Sequence, residues 1–156
     1  MRSIPKQSGA QAVEFALVLP FLVLVVLAVL DFAFLAYNKA VITNASREAA
    51  RRGIILTAAA WDPDEIGQVA CNYARAALIN VGPTAITANC DGIVGPVITV
   101  TPAAAPAFNT PVTVTVTYVS RGITLFTLGS IWNTGSGTNF VGSPMTLTAS
   151  TQMNHE

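Results

Sequence analysis

One carboxylate lies just inside a long apolar run near the start of the chain, where an ionised side chain is unexpected. Glu14 follows Gly9-Ala10-Gln11-Ala12-Val13, and no residue from Phe15 to Leu30 is charged. A carboxylate within lipid is costly unless it is paired or neutral, so an intramembrane carboxylate indicates a functional site. The alternative is that Glu14 lies in the headgroup layer with its side chain extended towards water. The residues themselves favour neither interpretation.

The groups that usually carry catalysis are scarce. The one histidine, His155, is next to the C-terminal residue, where we expect a frayed end. The sequence has no Gly-x-Ser-x-Gly motif, no P-loop and no cysteine–histidine pair. Asp62, Asp64 and Glu65 lie close together, but helix initiation explains them better than a calcium loop does. We therefore expect a protein that is not an enzyme, with no metal site and no cofactor.

The composition narrows the possibilities further. The chain has 156 residues, enough for about one domain. Apolar residues make up 52% of it and charged residues 10%, against about 25% charged in a typical soluble domain. The net charge is zero, so nothing indicates nucleic acid as a partner.

The first third of the chain predicts a membrane-spanning helix. A spanning helix needs roughly 20 mostly apolar residues, and Ala10 to Leu30 provides them if Glu14 is tolerated near one end. Asp31 interrupts the run, and Tyr37-Asn38-Lys39 is typical of a membrane interface. Pro20 lies inside the segment, where membrane helices tolerate proline.

The charges around this segment do not give one clear orientation. Arg2 and Lys6 precede it and favour a cytoplasmic N-terminus. The basic residues after it outnumber them: Lys39, Arg47, Arg51 and Arg52. The two cysteines and the threonine-rich C-terminal half are typical of an exported domain. We therefore expect the N-terminus in the cytoplasm and the domain outside it.

A cleaved secretory signal peptide is the competing interpretation of the same segment. Ala33 to Ala36 resembles a small-residue cleavage site. However, the apolar core of a signal peptide is normally shorter, and Glu14 and Asp31 are poorly suited to one. The membrane helix is the better prediction.

The helix is expected to continue beyond the membrane, from Lys39 to Arg52. Apolar residues at helical spacing give it one apolar face: Val41, Ile42, Ala45 and Ala49. Glu48 and Arg52 form a favourable i, i+4 pair, and Gly53 is expected to cap the C-terminus. A helix from Ala10 to Arg52 would be about 65 Å long.

The rest of the chain predicts a second helix followed by strands. Asp62 suits the N-cap and Pro63 the first helical position, and helical spacing of apolar residues continues to about Asn80. Alternation of apolar residues with threonine predicts three strands, Val97–Thr101, Val112–Tyr118 and Met145–Met153. Such strands form a small antiparallel sheet with one face covered by helices. The fold class is therefore α+β.

Two further features are interpreted from the residues. Cys71 and Cys90 are the only cysteines, and in an exported domain they should pair. The bond would contribute about 3 kcal/mol in the chain-entropy model. Ile123 to Trp132 is apolar without periodicity. It is either an exposed patch that docks on the membrane or a partner, or a loop folded over the core.

The residues around Glu14 resemble those of a known family. Gly9 followed by Ala10-Gln11-Ala12-Val13-Glu14 resembles a prepilin peptidase site, with the glutamate fifth after the glycine. The run from Gly9 to Pro20 is similar to the opening of TadE-like proteins, minor pilins of the tight-adherence (Flp) pilus. Ala45-Ser46-Arg47-Glu48-Ala49-Ala50-Arg51-Arg52-Gly53 resembles the second characteristic stretch of that family.

The resemblance implies roles for particular residues. Gly9 and Ala10 would flank the bond that a prepilin peptidase cuts. Ala10, Glu14 and Phe15 would take part in assembly, with Glu14 paired to the amine of a neighbouring mature N-terminus. The exposed arginines would contact partner pilins: Arg47, Arg51 and Arg52. A solvated helix face is the simpler explanation for any one of them.

The resemblance also implies an organisation, a location and partners. It divides the chain into a leader of residues 1–9, a transmembrane assembly helix of residues 10–37, and a helix extension with a periplasmic domain at residues 38–156. The fold would be type IV pilin-like. The protein would lie in the bacterial inner membrane or in the extracellular pilus. Its partners would be the peptidase, other minor pilins, the major Flp pilin, the inner-membrane assembly platform and the lipid bilayer.

Two other function classes compete with this interpretation. One is a single-pass membrane protein with an exported binding domain that is never processed at Gly9. The other is an exported enzyme of unrecognised class, for which the sequence offers few titrating groups. In the first of these Glu14 would be incidental.

Overall fold

The computed structural model describes residues 8–56, 60–80, 90, 95–120 and 145–155. Within these ranges the chain forms two helices and three strands, in the order helix, helix, strand, strand, strand. The elements are α1 (Ser8–Ile55), α2 (Pro63–Ala77), β1 (Val97–Thr101), β2 (Pro111–Ser120) and β3 (Met145–Asn154). The predicted α+β arrangement, with a long first helix and a three-stranded antiparallel sheet, is confirmed.

Helix α1 dominates the molecule. It has 48 residues, which corresponds to about 72 Å at 1.5 Å per residue. It contains Pro20 and remains helical on both sides of it. The helix is long and apolar enough to cross a membrane, and it therefore fits a single-pass anchor.

The prediction that Gly53 ends α1 is wrong. The helix continues to Ile55, and Gly53 is buried inside its last turn. A Cβ atom at this position would lie 3.1 Å from Val112 Cγ1 and 3.3 Å from Ile66 Cδ1. Gly53 is therefore present because β2 and α2 approach the helix closely, which a larger residue would prevent.

Two glycine substitutions test this explanation of Gly53. We expect Gly53→Val to lower the free energy of unfolding by about 1–3 kcal/mol, because the added methyl groups overpack the core. Gly67 lies inside α2, where a Cβ would meet only Ile98 Cγ2 at 3.9 Å. We expect Gly67→Ala to raise the stability by about 0.5–1 kcal/mol through helix propensity. Chemical denaturation of the full chain in detergent measures both, and equal effects at the two positions would contradict the packing argument.

Helix α2 begins as the sequence predicts and ends earlier. The Asp62 side chain accepts a hydrogen bond from the Asp64 backbone N–H at 2.9 Å, and Pro63 is the first helical residue. The helix was expected to reach about Asn80, but Leu78 is already extended, with φ −66° and ψ 132°. The chain leaves the helix here because the backbone of Ile79 is bound by a side chain of α1, described below.

An ion pair connects the two helices. Arg52 of α1 contacts Glu65 of α2, with Nη2 at 2.5 Å and Nε at 3.1 Å from Oε1. The sequence paired Arg52 with Glu48 on its own helix. The structure corrects this, because the packing of α2 against α1 brings the Glu65 carboxylate to the guanidinium. The pair is half-exposed, so its contribution to stability is about 0–1 kcal/mol.

The sheet has the order β1-β2-β3 and both pairings are antiparallel. The predicted strands are confirmed, with β2 beginning at Pro111 and ending at Ser120. Its apolar residues are buried against the helices: Val112, Val114, Val116 and Tyr118. Its threonines lie on the opposite, partly exposed face.

The direction of the sheet relative to α1 follows from two contacts. Ser120, at the end of β2, accepts a hydrogen bond from Asn38 at 3.4 Å. Val112, near the start of β2, lies beside Gly53. Strand β2 therefore runs antiparallel to α1, while β1 and β3 run in the same direction as α1.

The expectation that His155 lies at a frayed end is wrong. The side chain is buried, and its Nε2 lies 2.7 Å from the carbonyl oxygen of Leu56. Its backbone N–H donates to the Thr110 carbonyl at 2.9 Å, and its ring meets Trp61 edge-on at 6.2 Å between centroids. The residue points inwards because it continues the alternation of β3, in which odd-numbered side chains face the helices.

Cys71 and Cys90 form a disulfide, with Cα atoms 6.0 Å apart. The bond connects α2 to the segment that follows it, as the sequence predicts. Ile123 to Trp132 lies outside the described residues, and so does the leader as far as residue 7.

Candidate functional site: the N-terminal helix and its junction with the folded domain

Helix α1 consists of two parts with different surroundings. Up to about Phe32 its apolar side chains are exposed, for example Phe15 at 64% and Leu17 at 73%. From Leu35 onwards the helix packs against the core of the folded domain. A large exposed apolar surface on a soluble protein is exceptional, so the first part requires lipid or other helices around it.

Glu14 lies in the exposed apolar part. It is itself exposed, between Val13 and Phe15. It is about 36 Å along the helix from Asn38, slightly more than the hydrocarbon core of a bilayer at about 30 Å. When the folded domain lies just outside one face of a membrane, Glu14 is therefore at the opposite side.

Gly9 has no packing role within the described chain. It is helical and exposed, and a Cβ atom added to it would meet nothing within 4 Å. A helical glycine costs about 0.5–1 kcal/mol relative to alanine. At Gly53 the close approach of β2 explains that cost, whereas at Gly9 the fold offers no explanation. Ala10 is the next residue of the helix.

The junction between the two parts is held by a buried amide. Asn38 is 1% exposed, and its Nδ2 donates to the Ile79 carbonyl at 3.0 Å. Its Oδ1 accepts from the Ile79 backbone N–H, also at 3.0 Å. The side chain thus satisfies both backbone groups of one residue, as a neighbouring strand would.

Other polar groups complete this junction. Asn38 Nδ2 also approaches Ser120 Oγ at 3.4 Å, and Tyr118 Oη lies 3.5 Å from the same Ile79 carbonyl. The cluster joins α1, the end of α2 and the end of β2 at one level. It fixes the folded domain to the helix at the point where the exposed apolar part ends.

The residues on either side of Asn38 face outwards. Tyr37 is 46% exposed, which suits a ring at a membrane interface. The Lys39 ammonium donates to the backbone carbonyl of Thr148 on β3. Of the three residues that the sequence assigns to an interface, Tyr37 is therefore exposed, Asn38 is buried in the junction, and Lys39 contacts the sheet.

The predicted arginines fall into two groups. Arg47 and Arg51 are exposed on the face of α1 that points away from the domain. Arg52 is held by Glu65 of the same chain. Only the first two are therefore presented entirely towards the surroundings, and the contact role predicted for Arg52 would require it to leave Glu65.

Sequence reasoning missed Asn38 and His155, although signals for both were present. Asn38 lies one turn before Ile42 and two turns before Ala45, so it belongs to the buried stripe of α1. His155 is odd-numbered, like the residues of β3 whose side chains face the helices. His155 was interpreted from its closeness to the C-terminus and Asn38 from its polar neighbours, and neither from its place in the pattern of buried residues. Among the described residues, no three histidine, cysteine, aspartate or glutamate side chains are grouped as metal ligands would be.

Comparison with known proteins identifies one match. The family model for TadE-like proteins matches residues 9–51. The resemblance inferred from the sequence is thereby confirmed over about a quarter of the chain, and the whole match lies within α1. No curated protein and no solved structure matches the chain.

Proposed function

We propose that the protein is a minor pilin of the tight-adherence pilus that is cut after Gly9 and joins the pilus or its assembly complex through α1. The family match indicates a protein associated with this pilus. The finer role, helping to initiate or cap assembly, goes beyond the match. A major Flp pilin is expected to be much shorter than this chain.

One observation carries the proposal. Gly9 has neither the backbone conformation nor the packing that would require glycine, yet a carboxylate follows five residues later within an apolar helix. A peptidase that recognises glycine at the scissile bond accounts for Gly9, and assembly in the membrane accounts for Glu14. The described part of the fold accounts for neither.

Cleavage would supply the partner that Glu14 needs. Water would hydrolyse the bond between Gly9 and Ala10, leaving a carboxylate on the leader and an ammonium group on Ala10. A buried carboxylate is stabilised most by a cation that is also buried and otherwise unpaired. In an assembly, the Ala10 ammonium of one subunit would pair with the Glu14 carboxylate of its neighbour, with Phe15 in the adjoining contact.

The remaining contacts follow from the same placement. The N-terminus would lie on the cytoplasmic side of the inner membrane and the folded domain in the periplasm. Arg47 and Arg51 point away from the domain and are free to meet other minor pilins or the major Flp pilin. This role requires no catalysis by the protein, which acts as a peptidase substrate and an assembly component.

The first test is the mature N-terminus. We expect the membrane-extracted native protein to begin at Ala10, by intact mass and N-terminal sequencing, with Cys71 and Cys90 oxidised. Gly9→Leu should abolish processing and leave the full-length chain, because the peptidase site would lose its glycine. Gly67→Ala, a change at a glycine in the folded domain, should be processed normally.

Other N-termini would overturn the proposal in distinguishable ways. A native chain that starts at Met1 would favour a membrane-anchored binding domain that is not processed as a pilin. A start near Phe34 or Tyr37 would indicate a signal peptide and would remove Glu14 from the mature protein.

A further inference from the structure

The two outer strands of the sheet have open edges within the described part of the chain. Strand β1 pairs only with β2, and β3 also pairs only with β2. Natural sheets usually protect such edges with charged residues, prolines or very short strands. Strand β3 has ten residues without a charge or a proline, and β1 has five uncharged residues next to Pro96 and Pro102.

The edge of β3 is accessible at the level of Thr148. Its backbone carbonyl accepts a hydrogen bond from the Lys39 ammonium, a group at the end of a long exposed side chain. A lysine at an edge is a common protection against unwanted pairing. Because the lysine side chain is flexible, its ammonium group can move away and leave the Thr148 carbonyl to pair with another strand.

The two edges lie at the same level of the domain. Thr117 of β2 faces Val97 on one side and Thr148 on the other. In the same way, Thr115 faces Thr99 and Ser150. Strands β1 and β3 also run in the same direction, because each is antiparallel to β2.

Anchoring in a membrane restricts how copies of this chain can meet. Copies held by α1 in one bilayer have the same orientation and the same height. A two-fold contact between β3 strands would pair them antiparallel and turn one molecule upside down, since β3 runs along α1. Side-by-side copies instead bring β3 of one molecule next to β1 of the other, level and parallel.

We propose that β3 of one molecule adds to β1 of a second copy as a parallel strand, with Ser150 beside Thr99 of the neighbour. Both edges are uncharged and level, and the contact repeats head to tail rather than closing on itself. The inference rests on α1 being a membrane anchor and does not depend on cleavage after Gly9.

Cysteine cross-linking in membranes tests the contact. A chain carrying Thr99→Cys and Ser150→Cys is oxidised in native membranes and analysed without reductant. Neighbouring strands lie about 4.8 Å apart, within the Cα separation of about 4.4–6.8 Å that a disulfide allows. We expect a ladder of dimers, trimers and longer oligomers, because each copy offers both edges.

The matched control moves one cysteine to the central strand. Thr113 of β2 is paired with Thr101 and Gln152 rather than with Ser150 of its own chain, and it would lie about 10 Å or more from Ser150 of a neighbour. We expect Thr113→Cys with Ser150→Cys to give at least tenfold less cross-linked product between chains. Mass mapping of the Cys71–Cys90 bond shows that each variant is folded.

Two outcomes would overturn the proposal. Dimers formed by Ser150→Cys alone, without a ladder in the double variant, would indicate antiparallel pairing of β3. A double variant of Thr99 and Ser150 that cross-links no more than the Thr113 control would exclude the contact. Carbonate extraction of the same membranes reports separately on the anchor, so failure of α1 to hold the chain is distinguished from failure of the strand contact.

Discussion

Replacing Asn38 by leucine is expected to lower the free energy of unfolding of the folded domain by about 1–3 kcal/mol. The substitution leaves the N–H and C=O of Ile79 near a core without their present partner. Both hydrogen bonds are part-buried and the Tyr118 hydroxyl remains 3.5 Å from the carbonyl, so the expected loss is that of about one unsatisfied buried group, about 1–3 kcal/mol. Leucine has the same number of side-chain heavy atoms in the same branched arrangement, so the loss is due to hydrogen bonds more than to an empty cavity.

Chemical denaturation of the full chain in detergent, followed by tryptophan fluorescence, measures the effect. The matched control is Asn44→Leu on the exposed face of the same helix, where we expect a change within about 0.5 kcal/mol. Hydrogen exchange gives a local readout, since the Ile79 amide should lose protection in the Asn38 variant. Equal stability of the two variants would mean that the junction is not held by this side chain.

The elements of this chain were predictable wherever one local pattern decides the structure. The alternation of Val112–Tyr118 fixes a strand whose one face is buried, and Asp62-Pro63 fixes a helix start through the capping oxygen and the preset φ of proline. The apolar run after Glu14 fixes a helix that is long and apolar enough to span a membrane. Each of these depends on a few neighbouring residues.

The predictions failed where distant parts of the chain decide. Gly53 has the residue type of a C-cap, but the approach of Val112 from β2 determines its role. Arg52 pairs with Glu65 because two helices pack together. Helix α2 ends at Ala77 because Asn38, 41 positions away from Ile79, binds the backbone there. None of these contacts is visible in a window of neighbouring residues.

The candidate site shows the same division. The spacing of Gly9 and Glu14 is local and was found in the sequence, and the family match covers both residues. The junction that joins the folded domain to the apolar part of α1 is built from three elements. Only the place of Asn38 on the buried stripe of α1 could be predicted from the sequence. The sequence therefore shows the motif on the helix more clearly than how the domain is held on the helix.

Replacing Glu14 by alanine is expected to abolish incorporation into the pilus while the protein remains in the membrane. Removal of one partner from a buried ion pair costs about 3–5 kcal/mol, which corresponds to a loss of more than about a hundredfold in association. Insertion should be unaffected, because Glu14 is about 36 Å along the helix from Asn38 and so lies near the far face of a hydrocarbon core of about 30 Å. A loss of assembly without a change in insertion is the result expected of a carboxylate that is retained for its partner.

The measurement combines piliation by electron microscopy with the amount of protein in the membrane fraction. Glu48→Ala is the matched control, since Glu48 is an exposed glutamate on the same helix beyond the junction. Glu14→Asp keeps the charge on a shorter side chain and should restore part of the assembly. Normal piliation with Glu14→Ala would show that the carboxylate is incidental, and the chain would then be better described as an anchored binding domain. A loss of pili with both Glu14→Ala and Glu48→Ala would instead mean that the overall charge of α1 causes the effect, because the proposed ion pair involves Glu14 and not Glu48.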